Sequence, residues 1–287
     1  MIPVAAMTDD PGCVTALQTA CDRFGFTRAD TLEAIHSPYY LQFYDNRIVL
    51  RSTDGQHGDI ELDFTAGSAA HRLKFGGGKK QPLARAVGLH RWKSLSIVDA
   101  TAGFGTDAAV LASLGLDSGA TVTLIERCPP LACLLEHATI QATRDPATQR
   151  WASQLHVQFA DSIRWMTEHH CDVVYLDPMY PHTGKSAQVK KGMQALRVLA
   201  GPDVDSALLL QSALGCASKR VVVKRPKGAP PLTAPPETAP PVAAPLKHRN
   251  GIDDNDEQEN GRVMPDTSIT SPNTRYDIYS TSLIRKT

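Results

Sequence analysis

Short apolar runs alternate with helical stretches from residue 96 onward, and this alternation constrains the fold more than any other feature. Five runs have the character of strands, at residues 97–99, 122–126, 155–159, 172–176 and 220–224, and the fourth is apolar enough to be buried. Helical patterns lie between them, at residues 107–114, 131–142, 162–169 and 203–217. Strands that alternate with helices build a parallel sheet with helices on both faces. The sequence therefore predicts an α/β fold.

The first 90 or so residues follow a different pattern. Apolar side chains recur at helical spacing over residues 14–24, and two strand-like segments flank a polar Asp45-Asn46 turn, as in a β-hairpin. Residues 60–64 alternate between apolar and polar, which is typical of a half-buried strand. We expect a small α+β N-terminal region at 1–90, ahead of a larger domain at 91–287.

The C-terminal third contains a segment without sheet or helix character. Residues 228–245 hold seven prolines, which exclude a helix or a central strand. Residues 250–274 are polar and acidic, and we expect them to be disordered. Strand character returns at residues 275–284, which we expect to rejoin the sheet. The segment at about 228–274 is thus predicted to be an insertion in the larger domain.

Composition is that of an ordinary globular protein. The chain has 287 residues, 42% of them hydrophobic, and equal numbers of acidic and basic side chains. No apolar run approaches the roughly 18 residues that span a bilayer, and the N-terminus carries no basic signal-like region. The six cysteines include no CxxC pair, so we expect reduced thiols, no metal site and a cytoplasmic protein.

An acidic corner follows the fourth predicted strand. Asp177 leaves the apolar run directly into Pro178, and Tyr180 follows two residues later. Proline stiffens the turn and removes a backbone donor, so the carboxylate and the Pro178 carbonyl can both accept hydrogen bonds from an amino group. The tyrosine ring offers a face on which a planar base can stack. We interpret these three residues as a catalytic corner for methylating a nucleobase amine; the alternative is a surface turn.

A glycine loop follows the first predicted strand. Gly103 and Gly105 allow a tight turn and a close backbone approach to a ligand, and the helix that begins near Asp107 directs its free N–H groups toward that ligand. Glu126 ends the next strand, where a carboxylate can bind ribose hydroxyls. The spacing fits both nicotinamide dinucleotides and S-adenosylmethionine.

Three acidic features favour S-adenosylmethionine over a dinucleotide. Asp99 enters the glycine loop, Asp161-Ser162 follows the third strand, and the Asp177 turn follows the fourth. The last of these has no evident task in a dehydrogenase. We therefore predict a methyltransferase, with a nicotinamide oxidoreductase as the rival from another enzyme class.

Basic side chains cluster at several points although the chain is neutral overall. A locally basic face can bind phosphate on a neutral protein, whereas any one cluster alone can equally be solvated surface. The RNA-binding candidates are His71, Arg72, Lys74, Lys79, Lys185, Lys190, Lys191, Lys224 and Arg225.

Five motifs occur together in this chain: the loop at 99–105, the corner at 174–182, the segment at 189–191 with its two lysines, the segment at 221–226 and the basic glycine-rich segment at 71–78. Together they resemble one bacterial family, the ribosomal RNA small subunit methyltransferase J proteins. The resemblance implies a class I S-adenosylmethionine-dependent (Rossmann-like) fold. It also implies methylation of the exocyclic N2 of one guanosine in 16S rRNA, with 16S rRNA or the small ribosomal subunit as partner.

The same resemblance implies which residues contact the cofactor: Thr106 and Asp107, Glu126 and Arg127, Asp161 and Ser162, and Asp177. The family usually has a basic residue where Thr106 stands, and about 25 extra residues precede the last strand here. Two alternatives stay open at this point. One is methylation of an adenine N6 or a protein amide, and the other is a non-catalytic RNA-binding or assembly factor.

Overall fold

The computed structural model describes residues 5–55, 59–66, 78–179, 198–199, 205–234 and 263–281. Within these residues the chain forms two sheets, one of four strands and one of seven. Among them, no helix has both the length and the apolar character that crossing a membrane requires.

The smaller sheet is built by the N-terminal region. Its strands are β1 (Ala5–Met7), β2 (Thr27–Arg28), β3 (Tyr39–Tyr44) and β4 (Arg47–Ser52), in the spatial order β2-β1-β3-β4. The predicted hairpin is confirmed, because β3 and β4 pair antiparallel across Asp45 and Asn46. Both turn residues have positive φ, 47° and 55°, which is the conformation of a type I′ hairpin turn.

The larger sheet contains the alternating part of the chain. Its strands are β5 (Ser96–Asp99), β6 (Thr121–Glu126), β7 (Leu155–Phe159), β8 (Cys171–Leu176), β9 (Ala217–Pro226), β10 (Thr267–Thr270) and β11 (Thr274–Ser280). The spatial order is β10-β11-β9-β8-β5-β6-β7. Strands β5 to β9 are parallel, and β11 lies antiparallel between β9 and β10. The predicted α/β fold is confirmed.

Helices cover both faces of this sheet. The helices of the described residues are α1 (Val14–Phe24), α2 (Pro82–Val87), α3 (Thr106–Gly115), α4 (Pro129–Arg144), α5 (Gln149–Ala152), α6 (Ser162–Glu168) and α7 (Ser206–Cys216). One apolar core joins the sheet to α2, α3 and α4, and a second joins its other face to α6 and α7. From β5 the chain first builds β6 and β7 on one side of the sheet and then β8 and β9 on the other. In a parallel sheet, such a change of direction leaves a crevice at the carboxyl ends of the central strands.

Helix α4 connects the two sheets. Its Leu131 and Leu134 share an apolar cluster with Leu17 of α1 and Leu41 of β3. On the surface, the Arg23 guanidinium lies 2.5 Å from the Glu136 carboxylate of α4. The N-terminal region is therefore packed directly on the larger sheet's own helix. Helix α2 contacts β9, β10 and β11 of the larger sheet, although it lies before residue 90 in the chain. The domain boundary at residue 90 stays a prediction.

Two expectations about strands are wrong. Residues 60–64 do not form a strand: Ile60 makes a single bridge to Leu50, and Phe64 instead enters the core of the larger sheet. Residues 267–270, expected within a disordered segment, form the edge strand β10. Its side chains are largely exposed, so the strand depends on backbone pairing with β11 and carries little apolar signal.

Candidate active site

A cavity opens at the carboxyl ends of the central parallel strands. It has about 620 Å³ of empty space, part of it open to solvent. Among the described residues it is lined by Ala100, Thr101, Gly103, Ile125, Glu126, Arg127, Asp161, Ser162, Ile163, Asp177, Met179, Asp205 and Leu209. The glycine loop and the acidic corner, 74 residues apart in the chain, therefore border one space.

The glycine loop turns sharply between β5 and α3. Gly103 and Gly105 both have positive φ, 53° and 68°, a conformation that side chains other than glycine rarely adopt. A Cβ on Gly105 would lie 2.6 Å from Leu135 Cδ2 and 2.9 Å from the Phe64 ring. Gly105 is thus required by packing as well as by backbone conformation, although it supports the cavity from behind rather than lining it.

Glu126 fixes the loop from the neighbouring strand. Its two carboxylate oxygens accept hydrogen bonds from the backbone N–H groups of Gly103, at 2.9 Å, and Cys128, at 2.7 Å. Burial raises the pKa of this carboxyl above its ordinary value, and the two N–H donors oppose that shift. Each carboxylate oxygen has a second lone pair, so Glu126 can still accept from a ligand in the cavity.

Asp177 is held at two points. Its backbone N–H donates to Thr101 Oγ1 at 2.6 Å, and its Oδ2 accepts from the Lys224 ammonium at 2.7 Å. The Asp177 side chain is 40% exposed and lines the cavity. Pro178 follows it and is buried. Tyr180, the third residue of the predicted corner, lies outside the described residues.

A buried polar network lies beneath the corner. Lys224 also donates to Asp107 Oδ2 at 3.0 Å, and the same oxygen accepts from the Tyr175 hydroxyl at 2.5 Å. Burial disfavours the charged lysine, but the Asp177 and Asp107 carboxylates outweigh this effect and raise the pKa of Lys224 above its ordinary value. Burial, together with the Asp107 charge, raises the pKa of Asp99 to about 8.

The other end of the cavity contains an arginine between two acids. Arg127 Nη1 lies 2.7 Å from Asp205 Oδ2 and 4.0 Å from Asp161 Oδ2. Asp161 also caps α6 by accepting from the Arg164 N–H at 3.0 Å. The Ser162 hydroxyl donates to the Ala100 carbonyl at 2.6 Å and is buried, so it ties α6 to the end of β5.

The cavity brings together only part of the predicted cofactor set. Gly103, Glu126, Arg127, Asp161, Ser162 and Asp177 line it. Asp99, Gly105, Thr106 and Asp107 are not among its lining residues: Asp99 and Asp107 are buried beneath it, and Thr106 begins α3. Direct contact with a cofactor stays a prediction for all ten.

The structure separates the predicted RNA-binding residues into three groups. Lys79 is exposed and lies 3.8 Å from Asp117, as a surface cation would. Lys224 is engaged in the active-site network, and Arg225 is buried with its Nε donating to the Pro230 carbonyl; both are poorly placed to reach phosphate. The remaining candidates lie outside the described residues: His71, Arg72, Lys74, Lys185, Lys190 and Lys191.

Two polar lining residues were not predicted. Thr101 lies inside the predicted loop, and its role depends on contact with Asp177 from another strand. Asp205 immediately precedes α7 and contacts Arg127, which lies 78 residues earlier in the chain. Chain order alone gives no signal for either pairing, because both depend on the spatial order of the strands.

Comparison with known proteins identifies the family. A family model described as "Putative SAM-dependent methyltransferase" matches residues 21–244. The ribosomal RNA small subunit methyltransferase J of Laribacter hongkongensis is 50% identical over 182 residues, which are 62% of this chain and 63% of that relative's length. The protein of the same name from Shewanella loihica is 39% identical over 267 residues, covering 92% of this chain and 89% of its own.

A solved structure agrees over nearly the whole chain. The crystal structure of a SAM-dependent methyltransferase from Neisseria gonorrhoeae has a TM-score of 0.69 and 29% sequence identity, with 96% of each chain covered. The fold, the cavity at the strand ends and these matches agree with one another. This chain belongs to the S-adenosylmethionine-dependent methyltransferase family of the ribosomal RNA small subunit methyltransferase J proteins.

Proposed function

We propose that this protein transfers a methyl group from S-adenosylmethionine to the exocyclic N2 of a guanosine in 16S rRNA of the small ribosomal subunit, in the cytoplasm. The observation that carries the proposal is the shared cavity, which the glycine loop borders on one side and the Asp177 carboxylate on the other. The names of the relatives support ribosomal RNA as the substrate. The choice of guanine N2 rests on the resemblance of the motifs.

The cavity's residues suit this cofactor. Gly103 permits close backbone approach, and Glu126 at the end of β6 offers carboxylate oxygens to ribose hydroxyls. The same cavity is also lined by the apolar side chains of Ile125, Ile163 and Leu209, against which a planar base can lie. When bound, the cofactor supplies an electrophilic methyl group on a sulfonium, so the main task of the protein is alignment.

Asp177 is the residue best placed to orient the acceptor amine. The lone pair of the guanine amine is delocalised into the ring, which makes it a weak nucleophile. A hydrogen bond from N2–H to the carboxylate, with the Pro178 carbonyl as a second acceptor, would concentrate electron density on the nitrogen. Once the new C–N bond forms, the nitrogen loses a proton readily, and the 40% exposed carboxylate can pass it to solvent.

Methylation of purified small subunits tests this function. Subunits from a strain that lacks the modification are incubated with the protein and tritiated cofactor, and the RNA is digested to nucleosides. We expect label in N2-methylguanosine. Label in N6-methyladenosine or in protein would overturn the guanine assignment, and no transfer to either RNA or protein would overturn the enzymatic role.

A matched pair of variants tests the catalytic residue. Asp177→Asn removes the charge at the cavity, whereas Asp172→Asn makes the same change at the opposite end of β8, where Asp172 pairs with Lys219 at 2.7 Å. We expect Asp177→Asn to lose roughly 100-fold or more in rate and Asp172→Asn to stay close to wild type. Equal rates for the two variants would contradict the role of Asp177.

A further inference from the structure

We propose that Lys224 is a positioning residue for Asp177: its ammonium, anchored on the buried Asp107, fixes the orientation of the carboxylate that receives the substrate amine. This inference rests on the proposed function. It replaces the expectation that Lys224 binds RNA phosphate, and it gives Asp107 a task other than cofactor contact.

The contacts of the ammonium are asymmetric. Lys224 Nζ lies 3.0 Å from Asp107 Oδ2 and 2.7 Å from Asp177 Oδ2. The Asp107 side chain is 9% exposed and also accepts from the Tyr175 hydroxyl, whereas the Asp177 side chain is 40% exposed. One end of the bridge is therefore fixed in the protein interior, and the other end reaches the cavity wall.

Regular structure holds both partners in place. Lys224 lies in β9 and pairs with Tyr276 of the neighbouring strand β11. The residue before it, Val223, pairs with Leu176 at the end of β8, on the other side of β9. Asp177 is the next residue after β8, and its N–H is bonded to Thr101. The Asp177 backbone and its side chain are thus each held by a different strand end, so few orientations of the carboxylate remain.

The charges favour this role over RNA binding. The Asp107 and Asp177 carboxylates lie 3.0 Å and 2.7 Å from Lys224 Nζ, and both carboxylates repel phosphate and attract the hydrogens of an amine. The ammonium is only 26% exposed and already makes two charge-assisted hydrogen bonds. A phosphate that took the third N–H donor of the ammonium would lie against the Asp107 and Asp177 carboxylates, whereas an amine at Asp177 would leave both hydrogen bonds intact, because a carboxylate has about four acceptor sites.

Lysine substitutions on one strand test the proposal. Lys224→Met removes the ammonium, and Lys219→Met is the matched control, because Lys219 is also on β9 and is paired with Asp172 at 2.7 Å, far from the cavity. We expect Lys224→Met to lower kcat by roughly 100-fold, the loss that a small misplacement of a reacting group produces. Its Kd for S-adenosylhomocysteine and for RNA should stay near wild type. Lys219→Met should keep kcat, and Lys224→Arg should recover part of it.

A double-mutant cycle shows whether Lys224 acts through Asp177. If it does, adding Lys224→Met to Asp177→Asn should cause no further loss of kcat, because the two residues form one unit. Independent, multiplying losses would overturn the proposal. So would a weaker RNA Kd with unchanged kcat, which would assign Lys224 to phosphate binding.

Further variants distinguish a failure of this inference from a failure to fold and from a failure of the proposed function. If Lys224→Met does not yield folded protein because Asp107 loses its counter-ion, the Asp107→Asn/Lys224→Met variant leaves no buried uncompensated charge. The same kcat and Kd measurements are then made on this double variant, and the results expected and the results that would contradict the proposal are unchanged. An inactive Asp177→Asn with a fully active Lys224→Met would refute this inference alone, whereas a fully active Asp177→Asn would refute the proposed catalytic role itself.

Discussion

The demand for glycine at position 105 can be expressed as a free energy. Gly105 has φ +68°, and a left-handed conformation costs an L-residue roughly 1–2 kcal/mol. An added Cβ would also approach Leu135 Cδ2 to 2.6 Å and the Phe64 ring to 2.9 Å, and overpacking of this kind typically costs about 1–3 kcal/mol. Gly105→Ala should therefore lower the free energy of unfolding by about 2–5 kcal/mol.

Gly25 separates the two contributions. It ends α1 with φ +74°, and an added Cβ would meet no atom within 4 Å. Gly25→Ala should therefore cost only the backbone share, about 1–2 kcal/mol. Urea unfolding followed by tryptophan fluorescence suits the comparison, because Trp151 packs edge-on against Phe64 at 6.4 Å between ring centroids. Equal losses in the two variants would refute the packing argument.

Three further predictions concern buried polar groups. Folding raises the pKa of Asp99 from 3.8 to about 8. The free energy of unfolding of wild type should therefore fall by up to roughly 1.4 kcal/mol per pH unit between pH 4 and 8, relative to that of Asp99→Asn. If urea unfolding gives the two proteins the same pH dependence across that window, the prediction is wrong. Tyr175→Phe removes the hydroxyl that donates to Asp107 and should cost about 1–3 kcal/mol in urea unfolding; no measurable loss would argue against that bond. Glu126→Gln loses one of two backbone contacts, and calorimetry should find S-adenosylhomocysteine bound roughly tenfold or more weakly; unchanged affinity would remove Glu126 from the site.

Sequence patterns predict the larger sheet well where strands are buried on both faces. The run 122–126 lies within β6, and β8 ends at Leu176 directly before the acidic corner, as predicted. Apolar runs of this kind are stable when they are buried in a parallel sheet that helices cover on both faces. The edge strand β10 was missed because its exposed threonine and serine side chains are held by backbone pairing, which leaves no apolar pattern.

The site could be predicted only in part for a related reason. Acidic residues at the ends of β6 and β8 were expected near the glycine loop, because parallel strands end at one edge. The partners of Asp177 could not be identified, since Thr101 and Lys224 reach it from β5 and β9 on either side of β8. That contact depends on the lateral order of strands, which local sequence does not encode.

The proposed function requires one cavity to hold the sulfonium donor beside the Asp177 carboxylate. A crystal structure of the protein soaked with S-adenosylhomocysteine measures this directly. We predict ligand density between Gly103 and Asp177, with ribose hydroxyls at Glu126 and the sulfur facing the acidic corner. Density at any other surface, or a ligand whose sulfur faces away from Asp177, would contradict it.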